Sequence, residues 1–212
     1  MLNYKTFDVE IERRVTASHL SWPEPSSAGY DSGLGGNRQY MDLRRLTWTE
    51  ARRVYGVEAK IIARLEASDD PEEELDQIED ELYEEDADHL YGLDIGVASS
   101  VIALSAARCV PFASCNAGAF GGRHHEWHPL VAFYARPPAV PQLLECAEDA
   151  GAGLGNNDNG ALTVYADDIR KIRAFALALM RKSADFRTLQ FSPPHQQRNS
   201  KSKTGQGQLK LL

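Results

Sequence analysis

The chain lacks several features that would define its class at once. It has only three cysteines among 212 residues, and their odd number and irregular spacing exclude a disulfide framework. The longest apolar run, from about residue 95 to 107, is too short and too interrupted by Gly and Ser to cross a bilayer. The first residues lack the apolar segment of a secretory signal. We therefore expect a cytoplasmic protein with no membrane partner.

Basic charge is also scarce, except near the C-terminus. The net charge is −8, and residues 69–88 contain 13 acidic side chains and no basic one. From Arg181 onward there are seven Lys and Arg residues against one Asp, and the rest of the chain is nearly neutral. Because duplex nucleic acid is bound through clustered Lys and Arg, we expect no such partner for the body, and only weak phosphate contacts for the tail. The acidic segment instead predicts contact with another protein of basic surface, or with the tail.

The first half of the chain predicts one strand and two helices. Alternating Phe7, Val9 and Ile11 indicate a strand within residues 4–16, and a Pro, Ser and Gly-rich loop follows. Thr47-Trp48-Thr49-Glu50 is typical of a capping box that opens a helix. Asp70-Pro71 begins an acidic helix, in which Leu75, Ile78 and Leu82 form a narrow apolar stripe.

The second half predicts alternating helices and strands. We expect a buried helix over 95–108 capped by Asp94, strands over 110–115, 129–135 and 160–166, a helix over 137–150, and a last helix capped by Asp167-Asp168. This order favours an α+β fold, namely a ferredoxin-like sandwich with helices on one face of a mainly antiparallel sheet. The predicted organisation is an N-terminal strand and loop (1–46), a helical segment (47–91), the α+β core (92–185) and a disordered basic tail (186–212).

Reactive side chains are concentrated in the loop over residues 115–128. Thiolate and imidazole ligands suit zinc, which predicts a metal site on Cys115, His124 and His128, with His125 also available. The spacing matches no zinc finger, and His125 to His128 is HExH rather than the HExxH of metalloproteases.

The same loop has other interpretations, which the sequence leaves open. Cys115 would act as a nucleophile if His125 lowered its pKa and Glu126 oriented that imidazole. Glycine amides would bind an anion together with Arg123, and this ligand site would include Ser114, Asn116 and Gly118. The alternative without function is that the cysteines fill the core and the histidines lie on the surface.

The segment Phe112-Ala113-Ser114-Cys115-Asn116 carries a resemblance. It resembles uncharacterised bacterial proteins in which a strand ends in Ser-Cys before a Gly-containing loop. It is also similar to the Ser-Ser-Cys turn of the wybutosine-synthesis tRNA methyltransferase family, which would imply S-adenosylmethionine and a tRNA substrate. The similarity covers about residues 94–118, with Ala113 in place of a Ser and Gly118 one position late. The acidic body lacks the basic face that tRNA requires, so the resemblance implies only that Ser114 and Cys115 border a functional pocket.

Two functions remain from the sequence. The first is a non-catalytic binding or regulatory subunit of a bacterial cytoplasmic complex, which contacts its partner through the acidic helix. The alternative is a small metal- or cysteine-dependent enzyme, hydrolase-like, that uses the loop over 115–128.

Overall fold

The computed structural model describes residues 2–22, 46–84, 89–121, 124 and 126–189. Within these ranges the chain forms six α-helices and a five-stranded sheet. The helices are α1 (Trp48–Ala67), α2 (Pro71–Glu84), α3 (Ala98–Ala106), α4 (Val140–Ala150), α5 (Ile169–Arg181) and α6 (Ser183–Thr188). The strands are β1 (Arg13–Arg14), β2 (Val110–Cys115), β3 (Leu130–Tyr134), β4 (Gly153–Asn156) and β5 (Leu162–Tyr165). Among the described residues, no helix has the length and apolarity needed to cross a membrane.

Local capping signals start three of the helices where the sequence predicts them. The Thr47 hydroxyl accepts the Glu50 amide at 3.2 Å before α1. The Asp70 carboxylate accepts the Glu73 amide at 3.2 Å before α2. At α5, the Asp168 carboxylate accepts the Arg170 amide at 2.8 Å. Each cap satisfies an amide that has no partner inside the first helical turn, so these starts follow from local chemistry.

The α+β class is confirmed, but the expected sheet is not. The strand order is β1-β4-β5-β3-β2, with antiparallel pairing of β2 with β3, β3 with β5, and β4 with β5. Strand β1 pairs in parallel with β4, which makes the sheet mixed rather than mainly antiparallel. The ferredoxin-like sandwich is therefore not confirmed. The reason is that residues 4–16 contribute only a two-residue strand to the sheet, and this strand runs along β4 in the same direction, while Thr6 forms an isolated antiparallel bridge with Asp168.

Strand β4 was not predicted, and its sequence explains the omission. The segment Gly153-Leu154-Gly155-Asn156 has low strand propensity and follows a helix-terminating glycine, Gly151, with φ +66°. A side chain at position 153 would come within 2.3 Å of the Tyr165 ring of β5. The Tyr165 ring therefore occupies the space where a side chain at position 153 would lie, and only glycine fits there. The same glycine lowers the strand propensity of the segment, which is why the sequence pattern does not predict β4.

The core lies between the sheet and helices α1, α3, α4 and α5. On the sheet it consists of alternate residues in register, such as Val131 opposite Val164 and Phe133 opposite Leu162, all fully buried. The predicted apolar face of α5 is confirmed, because its four residues are fully buried, namely Ile169, Ile172, Phe175 and Leu179. Residues spaced by three and four positions lie on the same side of a helix.

Candidate metal centre

The site is built where β2 ends and the chain turns back toward the start of α3. Cys115 is the last residue of β2, and its side chain is almost buried. The Asn116 side chain then organises the following turn, since its carbonyl oxygen accepts the Gly118 amide at 2.9 Å. Gly118 has φ +68°, a backbone conformation that glycine adopts without strain. The turn brings His124 back over Cys115.

Three ligand atoms converge at this point. The Cys115 Sγ lies 3.5 Å from Nδ1 of His124, and the same Nδ1 lies 3.7 Å from Oδ2 of Asp94. All three atoms lie within 4.8 Å of one another. Thiolate, imidazole and carboxylate are the three side-chain groups that bind zinc in proteins. The three residues therefore form a group that could hold a metal ion.

The second nitrogen of His124 also has a partner. Nε2 lies 3.2 Å from the carbonyl oxygen of Gly121, and a carbonyl can only accept a hydrogen bond. This contact suits the tautomer with the proton on Nε2, in which Nδ1 is the nitrogen available to a metal ion. Metal-binding histidines usually donate their other N–H to a carbonyl or carboxylate in this way, which fixes the tautomer and the orientation of the ring.

Asn116 holds Asp94 in place from the other side. Its backbone amide donates to Oδ2 of Asp94 at 3.2 Å, and its side-chain amide donates to the Ile95 carbonyl at 3.1 Å. Asn116 is buried, so these hydrogen bonds are sheltered from water. The strand end and the segment before α3 are thus joined at the site.

The sulfur to nitrogen distance fits a tetrahedral ion. With zinc bonds of about 2.3 Å to sulfur and about 2.0–2.1 Å to nitrogen, tetrahedral geometry separates the two ligand atoms by about 3.6 Å. The observed Sγ to Nδ1 distance is 3.5 Å. The Nδ1 to Oδ2 distance of 3.7 Å is wider than the roughly 3.3 Å of an ideal site.

The same geometry permits thiol chemistry. Nδ1 of His124 lies beside the Cys115 Sγ, which is where a base would have to stand to take the thiol proton. The Ala117 amide also donates to Sγ at 3.3 Å. A thiolate is both the better nucleophile and the form that binds metal.

No family model, curated protein or solved structure matches the chain. The resemblance of residues 94–118 to the wybutosine-synthesis methyltransferases therefore stays a prediction. The candidate site rests on the geometry of the residues themselves.

The other residues predicted for the loop lie in different places. His128 contacts Tyr165, with ring centroids 5.6 Å apart and the rings inclined by 60°, and is not part of the three-residue group. Glu126 is exposed, and Ser114 is partly exposed on β2. Arg123 and His125 lie outside the described residues. Of the predicted metal ligands, the structure thus brings together Cys115 and His124.

The other two cysteines are buried away from the site. Cys109 is enclosed just before β2, and burial raises the pKa of its thiol to about 12. Cys146 on α4 is also enclosed, and burial likewise raises its pKa to about 12. Both therefore remain protonated thiols at neutral pH, which agrees with the alternative predicted from the sequence, in which cysteines fill the core.

Asp94 was not predicted as a site residue. The sequence indicates it as a helix cap, but α3 starts only at Ala98 and its N-cap residue, Val97, makes no side-chain capping bond. Asp94 lies 21 positions before Cys115, and no fixed spacing links the two. The one sequence signal that could have pointed to Asp94 is its position two residues before Gly96, where the chain turns tightly.

A cleft of about 520 Å³ lies beside the turn that follows Cys115. It is formed by the N-terminal segment, the start of α2 and the turn itself, and its lining residues are Leu2, Asn3, Lys5, 69–72 and 118–121. Lys5 donates to the Ala117 carbonyl at 3.5 Å and so connects the N-terminal segment with the turn. None of the three candidate ligands lines this cleft.

Proposed function

We propose that the protein is a small metal-dependent enzyme of hydrolase-like chemistry, in which Asp94, Cys115 and His124 hold a zinc ion. The observation that carries the proposal is the convergence of three ligand atoms within 4.8 Å, with the second nitrogen of the histidine held by the Gly121 carbonyl. Three electron-rich atoms that face one another repel unless a proton or a cation lies between them. A mixed set of sulfur, nitrogen and oxygen donors suits zinc better than magnesium or calcium.

Among the described residues the group offers three ligands, which is the number that catalytic zinc sites use together with one water, whereas structural zinc sites are closed by four protein ligands. A zinc ion held by these residues would supply hydroxide at neutral pH for attack on a carbonyl or phosphoryl centre, and Cys115 would serve as a ligand without forming a bond to substrate.

The first test is metal content and affinity. Protein purified without a histidine tag is expected to bind one zinc per chain. The variants Cys115→Ala, His124→Ala and Asp94→Asn are expected to lower the zinc affinity by at least about 100-fold. Loss of a direct ligand should cost more than loss of an outer partner of a ligand, which lowers metal affinity by roughly 10–100-fold. The matched control is His128→Ala, since His128 contacts Tyr165 instead. Wild-type affinity in the Cys115→Ala and His124→Ala variants would contradict the proposal. A metal-free protein whose Cys115 forms a covalent adduct would favour the cysteine-dependent enzyme.

A second candidate is a binding or regulatory subunit that uses α2. Its carboxylates at positions 72, 73, 76, 79 and 80 are exposed, which gives the helix a strongly negative outer face. This face suits a basic partner through charge complementarity. Capture of a basic protein that is lost when these carboxylates are replaced by amides would favour the subunit, and stoichiometric zinc would favour the enzyme.

A further inference from the structure

Glu58 is a fully buried carboxylate in the middle of α1. Its Oε1 accepts the backbone amide of Gly96 at 2.9 Å, and its Oε2 accepts the hydroxyl of Ser99 at 2.5 Å. Arg173 of α5 places its Nε 3.4 Å from Oε2. Burial raises the pKa of Glu58, while Ser99 and Arg173 oppose that rise. Removing a carboxylate from water is costly, so its position within the core calls for an explanation beyond packing.

Glu58 takes a role that the sequence assigns to Asp94. The first turn of α3 has no side-chain cap of its own, and the Glu58 carboxylate lies at this end of the helix, where negative charge is favoured. The Asp94 carboxylate faces away from the helix, accepts the Asn116 amide and approaches His124. Because Glu58 supplies the capping charge from α1, Asp94 is released for the site.

A single peptide group transmits the effect of Glu58 to Asp94. The Ile95–Gly96 peptide donates its N–H to Glu58 at 2.9 Å, and it accepts the Asn116 side chain on its carbonyl at 3.1 Å. This peptide group lies one residue after Asp94. Gly96 has φ +94°, and a side chain there would come within 2.5 Å of Ile169, so the turn has little room to rearrange.

We propose that Glu58 is a positioning residue for the metal centre: it fixes the Ile95–Gly96 peptide and thereby aims the Asp94 carboxylate at Cys115 and His124. The inference rests on the proposed metal site and deepens it. It means that Glu58 of α1, which is not itself one of the three candidate ligands, controls the geometry of the ligand Asp94.

The test compares Glu58→Gln with a matched buried change, Ser100→Ala. The glutamine keeps the shape of the side chain but has one acceptor oxygen for two donors. The Ser100 hydroxyl donates to the Ile172 carbonyl at 2.6 Å, so its loss also removes a buried hydrogen bond of α3 but none toward Asp94. Zinc affinity is measured by chelator competition, and ligand geometry by the absorption spectrum of the cobalt-substituted protein.

Glu58→Gln is expected to lower zinc affinity by about 10–100-fold, the usual effect of losing an outer partner of a ligand, and to shift the cobalt spectrum. Ser100→Ala is expected to keep both at wild-type values even where it lowers the melting temperature. Equal affinity and equal spectra in the two variants would overturn the role of Glu58 and leave the metal site standing. A wild-type protein that binds no zinc or cobalt would overturn both proposals.

A second variant covers the case in which Glu58→Gln does not fold. Ser99→Ala removes only the hydroxyl that donates to Oε2 of Glu58. It is expected to lower zinc affinity in the same direction by a smaller factor and to shift the cobalt spectrum. Unchanged affinity and spectrum in a folded Ser99→Ala protein would contradict the positioning role.

Discussion

At the scale of single residues, the three cysteines show how surroundings set chemistry. Cys109 and Cys146 are enclosed by apolar groups, which disfavour the thiolate and raise the pKa of each from 9.0 to about 12. Cys115 instead contacts the His124 ring and the Ala117 amide. One residue type thus fills the core at two positions and lies in the candidate site at the third.

This difference predicts the order of thiol modification. At about pH 8, iodoacetamide is expected to alkylate Cys115 well before the two buried cysteines, because only thiolates react. Zinc added first is expected to slow that reaction, since ligand and nucleophile are the same sulfur. Peptide mapping by mass spectrometry measures the three rates, and urea-unfolded protein, in which all three react, is the control. Modification of Cys109 or Cys146 at the rate of Cys115 would contradict the interpretation.

The raised pKa values also predict how stability depends on pH. Between pH 9.0 and about 12 the unfolded chain releases the protons of Cys109 and Cys146, whereas the folded protein retains them. Their contribution to stability is therefore complete below pH 9.0 and is lost as the pH rises toward 12. Urea titrations above and below pH 9.0 are expected to show a falling free energy of unfolding, with a smaller fall in Cys109→Ala.

At the scale of elements, α2 shows which forces hold a highly acidic helix to the body. Leu75 and Ile78 are buried against the core, and Leu82 is partly buried. Arg64 of α1 lies between two carboxylates of α2, with 2.8 Å to Glu74 and 2.6 Å to Glu81. These ion pairs raise the pKa of Arg64, but its side chain is 42% exposed, so water screens them. Apolar burial is thus the main attachment.

The balance can be measured with two substitutions. Ile78→Ala is expected to cost about 2–5 kcal/mol of unfolding free energy, because it removes buried methyl groups and leaves a cavity. Arg64→Gln is expected to cost less than about 1 kcal/mol, as exposed ion pairs usually do. Urea unfolding followed by circular dichroism gives both values. A larger loss for Arg64→Gln than for Ile78→Ala would show that charge holds the helix.

At the scale of the whole molecule, charge is divided between an acidic helix and a basic C-terminal segment. Residues 190–212 contain four Lys and Arg side chains and no acidic one. The outer face of α2 carries five exposed carboxylates, for which a cation-rich chain is a favourable neighbour. This layout favours a contact between the two, or between α2 and a basic partner protein.

Salt and truncation test that contact. Deleting residues 190–212 is expected to shift the backbone amide resonances of α2 at low salt, and about 0.5 M salt is expected to produce the same shifts in the full chain, because exposed charges are screened. Resonances of β3, which is buried, serve as the internal control. If neither change moves the α2 resonances, the helix is a solvent-exposed face, and a role in binding the tail is excluded.

The sequence by itself determined the features that depend on neighbours along the chain. The caps at Thr47, Asp70 and Asp168, the two strands that flank the Cys and His loop, and the buried face of α5 were all predicted. Each depends on residues within about four positions, or on a periodic pattern, so that local chemistry is sufficient.

The tertiary structure decided the rest, because the partners are distant in sequence. Strand β4 depends on Tyr165 lying over Gly153, and the parallel pairing of β1 depends on where the N-terminal segment meets β4. From the sequence Asp94 is expected to be a helix cap, but Glu58, 38 residues before Gly96, supplies that charge from α1. The three candidate ligands come together because packing places Asp94 opposite Cys115 and His124 instead of at the first turn of α3. No local sequence pattern encodes which of these two positions the Asp94 carboxylate takes.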